Sequence, residues 1–426
     1  MKKKHSIGRF ITLAVLCAIV LALTIFKFPL PAQWSDSDFY GFARAINLGI
    51  EYQGGTSYQY SVKSNSTKNF NLENGISSSM TRIKTLLENN LYTPNVYRNG
   101  DSVVVELLDE YSPVGITDII NADPYFAIKS EQSDTAEEKI KAEDVSTAYG
   151  TTSGSNIALI ITFTDAGKTK MADLTSSGSG TMYIYIGTAV LPLSYSEQIS
   201  NGVLGATLGS GSTLDQANYY ASEIVCSKYD LSFEENGVTT FSKEDAKRNV
   251  IMAVCLTAGL FAICVAILCI VFKKLGLVGS LVMLMALLLQ IILLQAVPIF
   301  VLTGPSLFAS LLCMIIGAMS IYLMFNKMHS EYKMGKILYA SVKFGYDKIW
   351  LSIFDMYLVL LFPSVITYFF GSYFVKQFAM ALICGLSVWS FSTLLFTMSF
   401  SRWFTNISFK NKDYGFKREA HVDELK

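Results

Sequence analysis

The chain has 426 residues, 51% of them hydrophobic and only 16% charged, well below the roughly one-quarter charged fraction of soluble domains. Acidic and basic residues balance at 34 each, yet 27 of the acidic and 14 of the basic ones fall between positions 31 and 247. An acidic block flanked by basic apolar sequence excludes both a wholly water-soluble enzyme and a nucleic-acid binder.

The first apolar run, 10–26, follows Lys2, Lys3, Lys4, His5 and Arg9 and leaves through Lys27-Phe28-Pro29-Leu30-Pro31. It is longer than the 7–15-residue core of a signal peptide, so an uncleaved first transmembrane helix is expected. Residues 31–247 read as a folded α+β domain. Residues 58–62 alternate like a strand, and 74–90 carry helical spacing at Ile76, Met80, Ile83 and Leu87. Segments 95–98 and 102–106 flank Asn99-Gly100, a hairpin signal. A short strand is expected at 126–129. The polar stretch 130–155 reads as a loop or the neck of an inserted lobe beginning near 130. A buried strand at 157–163 runs into Thr164-Asp165, which caps a helix to about Leu174. Another strand is expected at 182–186 and a helix at 214–229.

Five further apolar runs follow, at 249–272, 275–296, 299–325, 350–370 and 377–400. Each is long enough to cross a hydrocarbon core of about 30 Å, and helices are the form that satisfies backbone polar groups there. Lys273 and Lys274 fill one link. Lys327, Lys333, Lys336, Lys343 and Lys348 fill another, and Arg402, Lys410, Lys412, Lys417 and Arg418 follow the last span. The opposite links hold only Gly304-Pro305 and Lys376. Positive charge gathers on the cytoplasmic side, so both termini are expected there and 31–247 outside the cytosol. The expected architecture is an α-helical membrane bundle of six transmembrane helices with a large α+β extracytoplasmic domain between helices one and two. Its parts are 1–30, 31–247, 248–400 and a basic cytoplasmic tail, 401–426.

Motifs for catalysis are missing. Gly167-Lys168-Thr169 lacks the earlier glycine of a phosphate loop, Thr162 standing in its place. HExxH, GxSxG, GxGxxG and CxxC do not occur. Six of seven cysteines lie in apolar runs, leaving Cys226 alone in the acidic block, so that block folds without an internal disulfide. His5, His329 and His421 are too scattered for a metal cluster. Asp109-Glu110 and Glu137-Glu138 read as solvated acidic pairs, and Asn65-Ser66-Thr67 as a chance glycosylation triplet. No enzyme activity, cofactor or metal is expected. One intramembrane ionisable residue stands out. Asp355, near the cytoplasmic end of the fifth run, is either a proton or ion relay or a headgroup-level carboxylate that is paired with Lys348 or serves as a cap. Gln290 and Gln295 suit interhelical hydrogen bonds.

Leu48-Gly49-Ile50-Glu51-Tyr52-Gln53-Gly54-Gly55-Thr56 resembles the signature that opens the outer domain of SecD, with Glu51 where most members carry Asp. Phe163-Thr164-Asp165-Ala166-Gly167-Lys168 is a second match. Glu331-Tyr332-Lys333-Met334-Gly335-Lys336, Gly345-Tyr346, Ile353-Phe354-Asp355, Phe370-Gly371, Val375, Phe378-Ala379 and Gly385 continue it at the family's spacing. The resemblance implies a divergent SecD-type subunit of the SecDF complex, in the resistance–nodulation–division superfamily. It implies partners: a SecF-type subunit, the SecYEG channel, the SecA motor, unfolded secretory polypeptides and the bilayer. It implies proton-motive-force-dependent help in translocating and releasing secreted proteins at the outer side of a bacterial plasma membrane. Gly49, Glu51, Gly54, Gly55, Gly335, Gly345 and Gly371 are its motif positions, and Asp355 its proton-relay candidate. Met319 stands where the family usually has a proton-pathway aspartate, Tyr357 replaces the asparagine usual beside Asp355, and the signature before span two is not recognisable in 241–250. An uncoupled scaffold or substrate holdase, and half of a small-molecule or lipid exporter, are the alternatives. The strand at 182–186, rich in tyrosine, is either a surface for unfolded chains or ordinary strand packing.

Overall fold

The computed structural model describes residues 2–27, 41–64, 72–89, 94–108, 116–153, 156–209, 211–229 and 231–407. The Asn65 triplet, the Asp109-Glu110 pair and the basic tail beyond 407 lie outside the described residues. The chain divides into two compact units, Gly54–Ser242 and a second one made of Met1–Gln53 with Lys243–Lys426.

The second unit begins with α1 (Lys2–Ile25) and the single turn α2 (Ile50–Gln53). The Gly54–Ser242 unit opens with β1 (Gly55–Ser64), α3 (Leu72–Asn89), β2 (Asn95–Asn99), β3 (Ser102–Leu108) and α4 (Ile116–Ile120). β1 pairs antiparallel with β3, Gly55 opposite Leu108 and Tyr60 opposite Val103. The expected apolar face of α3 is real. Ile76, Ile83 and Leu87 are fully buried against Tyr60, Val103 and Val105. The hairpin is displaced by one residue from Asn99-Gly100. Asn99 pairs with Ser102, so Gly100-Asp101 is the loop, and Gly100 at φ +64° takes the left-handed position a two-residue turn needs.

Next come β4 (Phe126–Lys129), β5 (Glu138–Lys141), β6 (Val145–Ser153), β7 (Asn156–Phe163) and α5 (Asp165–Leu174). They are followed by β8 (Gly180–Ile186), β9 (Ala189–Tyr195), β10 (Val203–Thr207), α6 (Leu214–Cys226) and β11 (Leu231–Phe241). Three antiparallel sheets result, in the orders β11-β1-β3-β2, β10-β7-β6 and β5-β4-β8-β9. A second core of Ile128, Ile140, Leu159, Ile161, Met171, Ile184 and Ile224 fills this half. The stretch expected as a loop, 130–155, contains β5 and β6. β6 is an edge strand, with Val145 buried and most of its remaining side chains exposed, so it needs almost no apolar sequence.

The membrane-type unit continues with α7 (Lys243–Phe272), α8 (Lys274–Ala296), α9 (Gly304–Lys333), α10 (Leu338–Phe370) and α11 (Tyr373–Ile407). These five helices are long and apolar enough to cross a membrane. α1 has 24 residues and packs on α8 and α11. Several helices overrun their apolar segments. The expected basic link between spans four and five shrinks to Met334, Gly335, Lys336 and Ile337, and Lys343 and Lys348 become part of α10. Backbone bonding continues past the hydrocarbon boundary because Lys and Tyr are acceptable helix formers there. Lys273 alone separates α7 from α8 and adopts φ +52°.

Candidate functional site

The motif after α1 is a clasp on the neighbouring helix loop. Leu48 bridges in parallel to Leu302, the Gly49 N–H donates to the Leu302 carbonyl (2.8 Å), and the Leu302 N–H donates to the Asn47 carbonyl (2.7 Å). A side chain at Gly49 would crowd that same carbonyl, 3.1 Å from its Cβ. Glu51 then accepts the Gly304 N–H at Oε2 (2.8 Å), placing a negative charge at the N-terminus of α9. Its carbonyl also accepts from Asn249 Nδ2 of α7 (2.9 Å). Within the other unit, Gly54 and Gly55 take φ +87° and +145° as β1 begins. A Cβ at Gly55 would collide with the Leu107 carbonyl. The second match, around Gly167, is structural as well. Thr164 caps α5 by accepting the Gly167 N–H, and Gly167 leaves room for the backbone at Asp144. Asp144 accepts both of its Lys170 contacts at 2.8 Å.

The motif between α9 and α10 centres on Glu331. Its carboxylate is 0% exposed and contacts Lys336 Nζ at 2.5 Å and Lys348 Nζ at 2.7 Å. Gly335 turns the chain at φ +93°. Gly345 lets α10 approach α9, since a Cβ there would lie 2.6 Å from Met328 Cα. Gly371 ends α10, where a Cβ would lie 2.6 Å from Val375 Cγ1. The expectation that Lys348 pairs with Asp355 is therefore corrected, because Glu331 is nearer and buried. Glu331 itself was legible only as a motif letter. Nothing in the sequence marked it as the anion joining two lysines.

Asp355 is the eighteenth residue of the 33-residue α10, not close to its start. Ile353 and Tyr357, two residues to either side, are buried and hold the helix to the bundle. A two-residue step turns about 200° around a helix, so Asp355 points the other way. It is exposed, with Leu351, Phe354, Leu358 and Val359 exposed around it. Its carboxylate has no ion pair or hydrogen bond among the described residues. Met319, in the position of the missing family aspartate, is 58% exposed.

The bundle interior is mainly apolar, and at this level it holds a few buried hydroxyls and one amide but no carboxylate among the described residues. Ser320 Oγ and Thr393 Oγ1 lie 3.2 and 3.5 Å from the Tyr357 hydroxyl, and all three residues are buried. Trp389 Nε1 donates to Gln290 Oε1 (2.7 Å), the interhelical bond expected of that glutamine. Thr393, Thr397, Ser401 and Thr405 repeat every fourth residue along the buried face of α11. This hydroxyl stripe was missed, since Ser and Thr in apolar helices give no hydropathy contrast.

In the Gly54–Ser242 unit, the two cores meet where α3 packs on α6. Arg82 Nε and Glu223 Oε2 are 3.0 Å apart and both side chains are buried. The Tyr219 hydroxyl donates to Glu223 Oε1 (2.7 Å), and burial with that bond pushes its pKa up. The tyrosine-rich strand at 182–186 is not a free surface. Met182, Ile184, Tyr185 and Ile186 are all buried in β8, between β4 and β9, which corrects the reading of it as a binding face. No metal-binding group of His, Cys, Asp and Glu occurs among the described residues.

No family model matches the chain, and no curated protein matches it. Solved structures do. SecDF in a super-membrane-facing form aligns with a TM-score of 0.62 at 16% identity, covering 96% of this chain and 59% of that one. SecDF of Thermus thermophilus, described as a translocon-associated membrane protein, aligns with a TM-score of 0.58 at 17% identity, covering 98% and 60%. The chain has the SecDF fold, as the motif resemblance implied, and spans about three fifths of the length of those SecDF chains.

Proposed function

We propose that this chain is a SecD-type accessory subunit of a bacterial protein translocase, working beside a SecF-type chain. The observation that carries the reading is Asp355, a carboxylate without a partner among the described residues, on an apolar, outward helix face of a bundle with the SecDF fold. A carboxylate facing lipid costs about 2.5–3.5 kcal/mol on insertion scales. A second bundle offering a basic or protonatable group would remove that cost and complete a proton path at the shared surface. The reading places the protein in the plasma membrane, α1 making a sixth span, with both termini cytoplasmic and residues 31–247 outside. The lysines at Lys273, Lys274, Lys333, Lys336 and Lys348 gather at one end of the helices and support that orientation. In this reading the outer domain holds unfolded secretory chains as they leave SecYEG, after SecA has pushed them through.

The test is export of a secreted reporter in cells that carry Asp355→Asn, together with co-purification of a SecF-type chain and the channel. Impaired, gradient-dependent export with the partner still bound is the expected result. Normal export by the variant would remove Asp355 from the mechanism. One observation favours a second reading, a scaffold or holdase without proton coupling: exposed Met319 replaces the other carboxylate on α9. Export help that persists after the proton gradient is collapsed would select it.

A further inference from the structure

α10 and α11 meet along a groove of about 490 Å³. Tyr346, Trp350, Phe354 and Leu361 line it from α10, Phe391 and Leu395 from α11. Trp350, Phe354, Phe391 and Leu395 are exposed, so the groove opens outward, toward lipid. The Tyr346 hydroxyl is spent on the Leu394 carbonyl (2.9 Å), so the polar tip of that ring offers nothing to an occupant. From Tyr346 to Leu361 the helix advances about 22 Å, more than the roughly 15 Å of one leaflet. An acyl chain fits it lengthwise.

The two ends of the groove differ in charge. Tyr339, Lys343, Tyr346, Trp350 and Phe354 follow one another at steps of four, three, four and four, so the groove face of α10 continues past Tyr346 to Lys343 and Tyr339. Arg402 stands seven residues beyond Leu395, on the same face of α11. The helices close on each other again there. Arg402 Nη2 donates to the Tyr339 hydroxyl (3.0 Å), and the guanidinium lies 5.6 Å from the centre of that ring. Lys343 is exposed, and neither it nor Arg402 has an ion pair among the described residues. Lys336 and Lys348, at the same end, are already held by Glu331. Asp347, one turn beyond Lys343, pairs with neither cation among the described residues. Toward the other end the charge vanishes: 356–370 of α10 and 377–401 of α11 hold no Asp, Glu, Lys or Arg.

An apolar slot with two unanswered cations at one end complements an amphiphile whose head is an anion. A guanidinium receives a phosphate through paired hydrogen bonds, and an ammonium adds a point charge. Tyr339 and Trp350, both 40% exposed, are of the types that gather at headgroup level. We infer that this groove is a binding site for one anionic phospholipid, its phosphate held by Arg402 and Lys343 and one acyl chain laid along Trp350, Phe354 and Phe391. The inference rests on the membrane bundle and not on the export reading, since Asp355 does not line the groove.

Native mass spectrometry of the detergent-purified full chain tests it, with dioleoyl phosphatidylglycerol and dioleoyl phosphatidylcholine as probes that share their chains. One phosphatidylglycerol should survive activation that strips phosphatidylcholine, and inorganic phosphate should not displace it. Lys343→Gln and Arg402→Gln should each weaken its retention about tenfold, the worth of a charged hydrogen bond. Lys376→Gln, at the far end of α11, should leave it unchanged. Equal retention of the two lipids, displacement by inorganic phosphate, or full retention in the Lys343 and Arg402 variants would overturn the assignment. A second measurement needs no variant. Phosphatidylglycerol with a photoreactive group in its acyl chain should label the peptides holding Trp350, Phe354 and Phe391, and unlabelled phosphatidylglycerol should compete. Label spread evenly over the exposed face of α7 as well would mean annular lipid only, and the assignment would fall. It would fall too if a protein copurifying from the membrane shielded the groove, because a partner's helix would then be the occupant.

Discussion

Arg82 of α3 and Glu223 of α6 meet at 3.0 Å with side chains only 5% and 3% exposed, tying the two cores of the α+β unit together. Arg82 also donates to the Ala122 carbonyl, and Glu223 accepts from Tyr219. Removing one partner strands the other charge in the interior, which costs about 3–5 kcal/mol. Glu223→Ala should therefore open the α3–α6 contact, read as faster proteolysis of this unit in the full-length protein. Arg82→Met with Glu223→Leu should recover much of the loss, since no charge is then left unpaired.

Cys226 lies against this same pair, its Sγ 3.6 Å from Ser79 Oγ. Burial pushes its thiol up to about 11 from 9.0. The folded form therefore keeps its proton while the unfolded form loses it. The unfolded state binds fewer protons above pH 9, so stability falls as pH rises. The stabilisation is complete below about 9 and gone above about 11. Two units correspond to about 2–3 kcal/mol. Unfolding of the α+β unit followed from pH 8 to 11 should show the decline, and Cys226→Ser should flatten it. A thiol-alkylating reagent at pH 8 should leave Cys226 unmodified until the unit unfolds.

The contrast between legible and illegible elements has a physical basis. α3 announced itself through Ile76, Ile83 and Leu87, because a helix on a sheet needs one apolar stripe. β7 was legible because it is the middle strand of its sheet. β6 and β11 escaped notice because they are edge strands with largely polar sequences, and the apolar edge strand β9 because Pro192 interrupts its strand signal. The direction of Asp355 was hidden for the opposite reason. α10 is apolar on every side, so its sequence has no stripe to show which face meets the bundle. The motif glycines were visible as letters, but Gly345 makes sense only once Met328 is seen beside it.

Gly317 and Trp389 are matched in shape. A Cβ at Gly317 would overlap the Trp389 ring, which is itself fully buried and bonded to Gln290. Overpacking in a filled core typically costs 1–3 kcal/mol. Gly317→Ala should lower the thermal midpoint of the purified protein. Trp389→Leu alone should lower it too, through a cavity and a lost bond. In the double variant the added methyl should occupy part of the space that the indole leaves, so the two losses should not add.

Glu331 and Asp355 show how differently one helix end and one helix face treat a carboxylate. Glu331 is enclosed and answered by Lys336 and Lys348, while Asp355 is exposed and unanswered among the described residues. Glu331→Gln should destabilise the α9–α10 turn. The penalty is moderated because Lys336 and Lys348 are one-third and one-half exposed and can turn to water. A drop of about 1–3 kcal/mol is expected. Asp355→Leu should act in the other direction. Without a partner chain it removes a carboxylate from a lipid-facing surface, so the lone subunit should insert more efficiently, by up to about 3 kcal/mol. Under the proposed function the same change should abolish gradient-dependent export. An insertion assay and an export assay on one pair of proteins separate the two effects. If Asp355→Leu left insertion unchanged, the carboxylate would already be covered within the single chain, and the case for a partner at that face would fail.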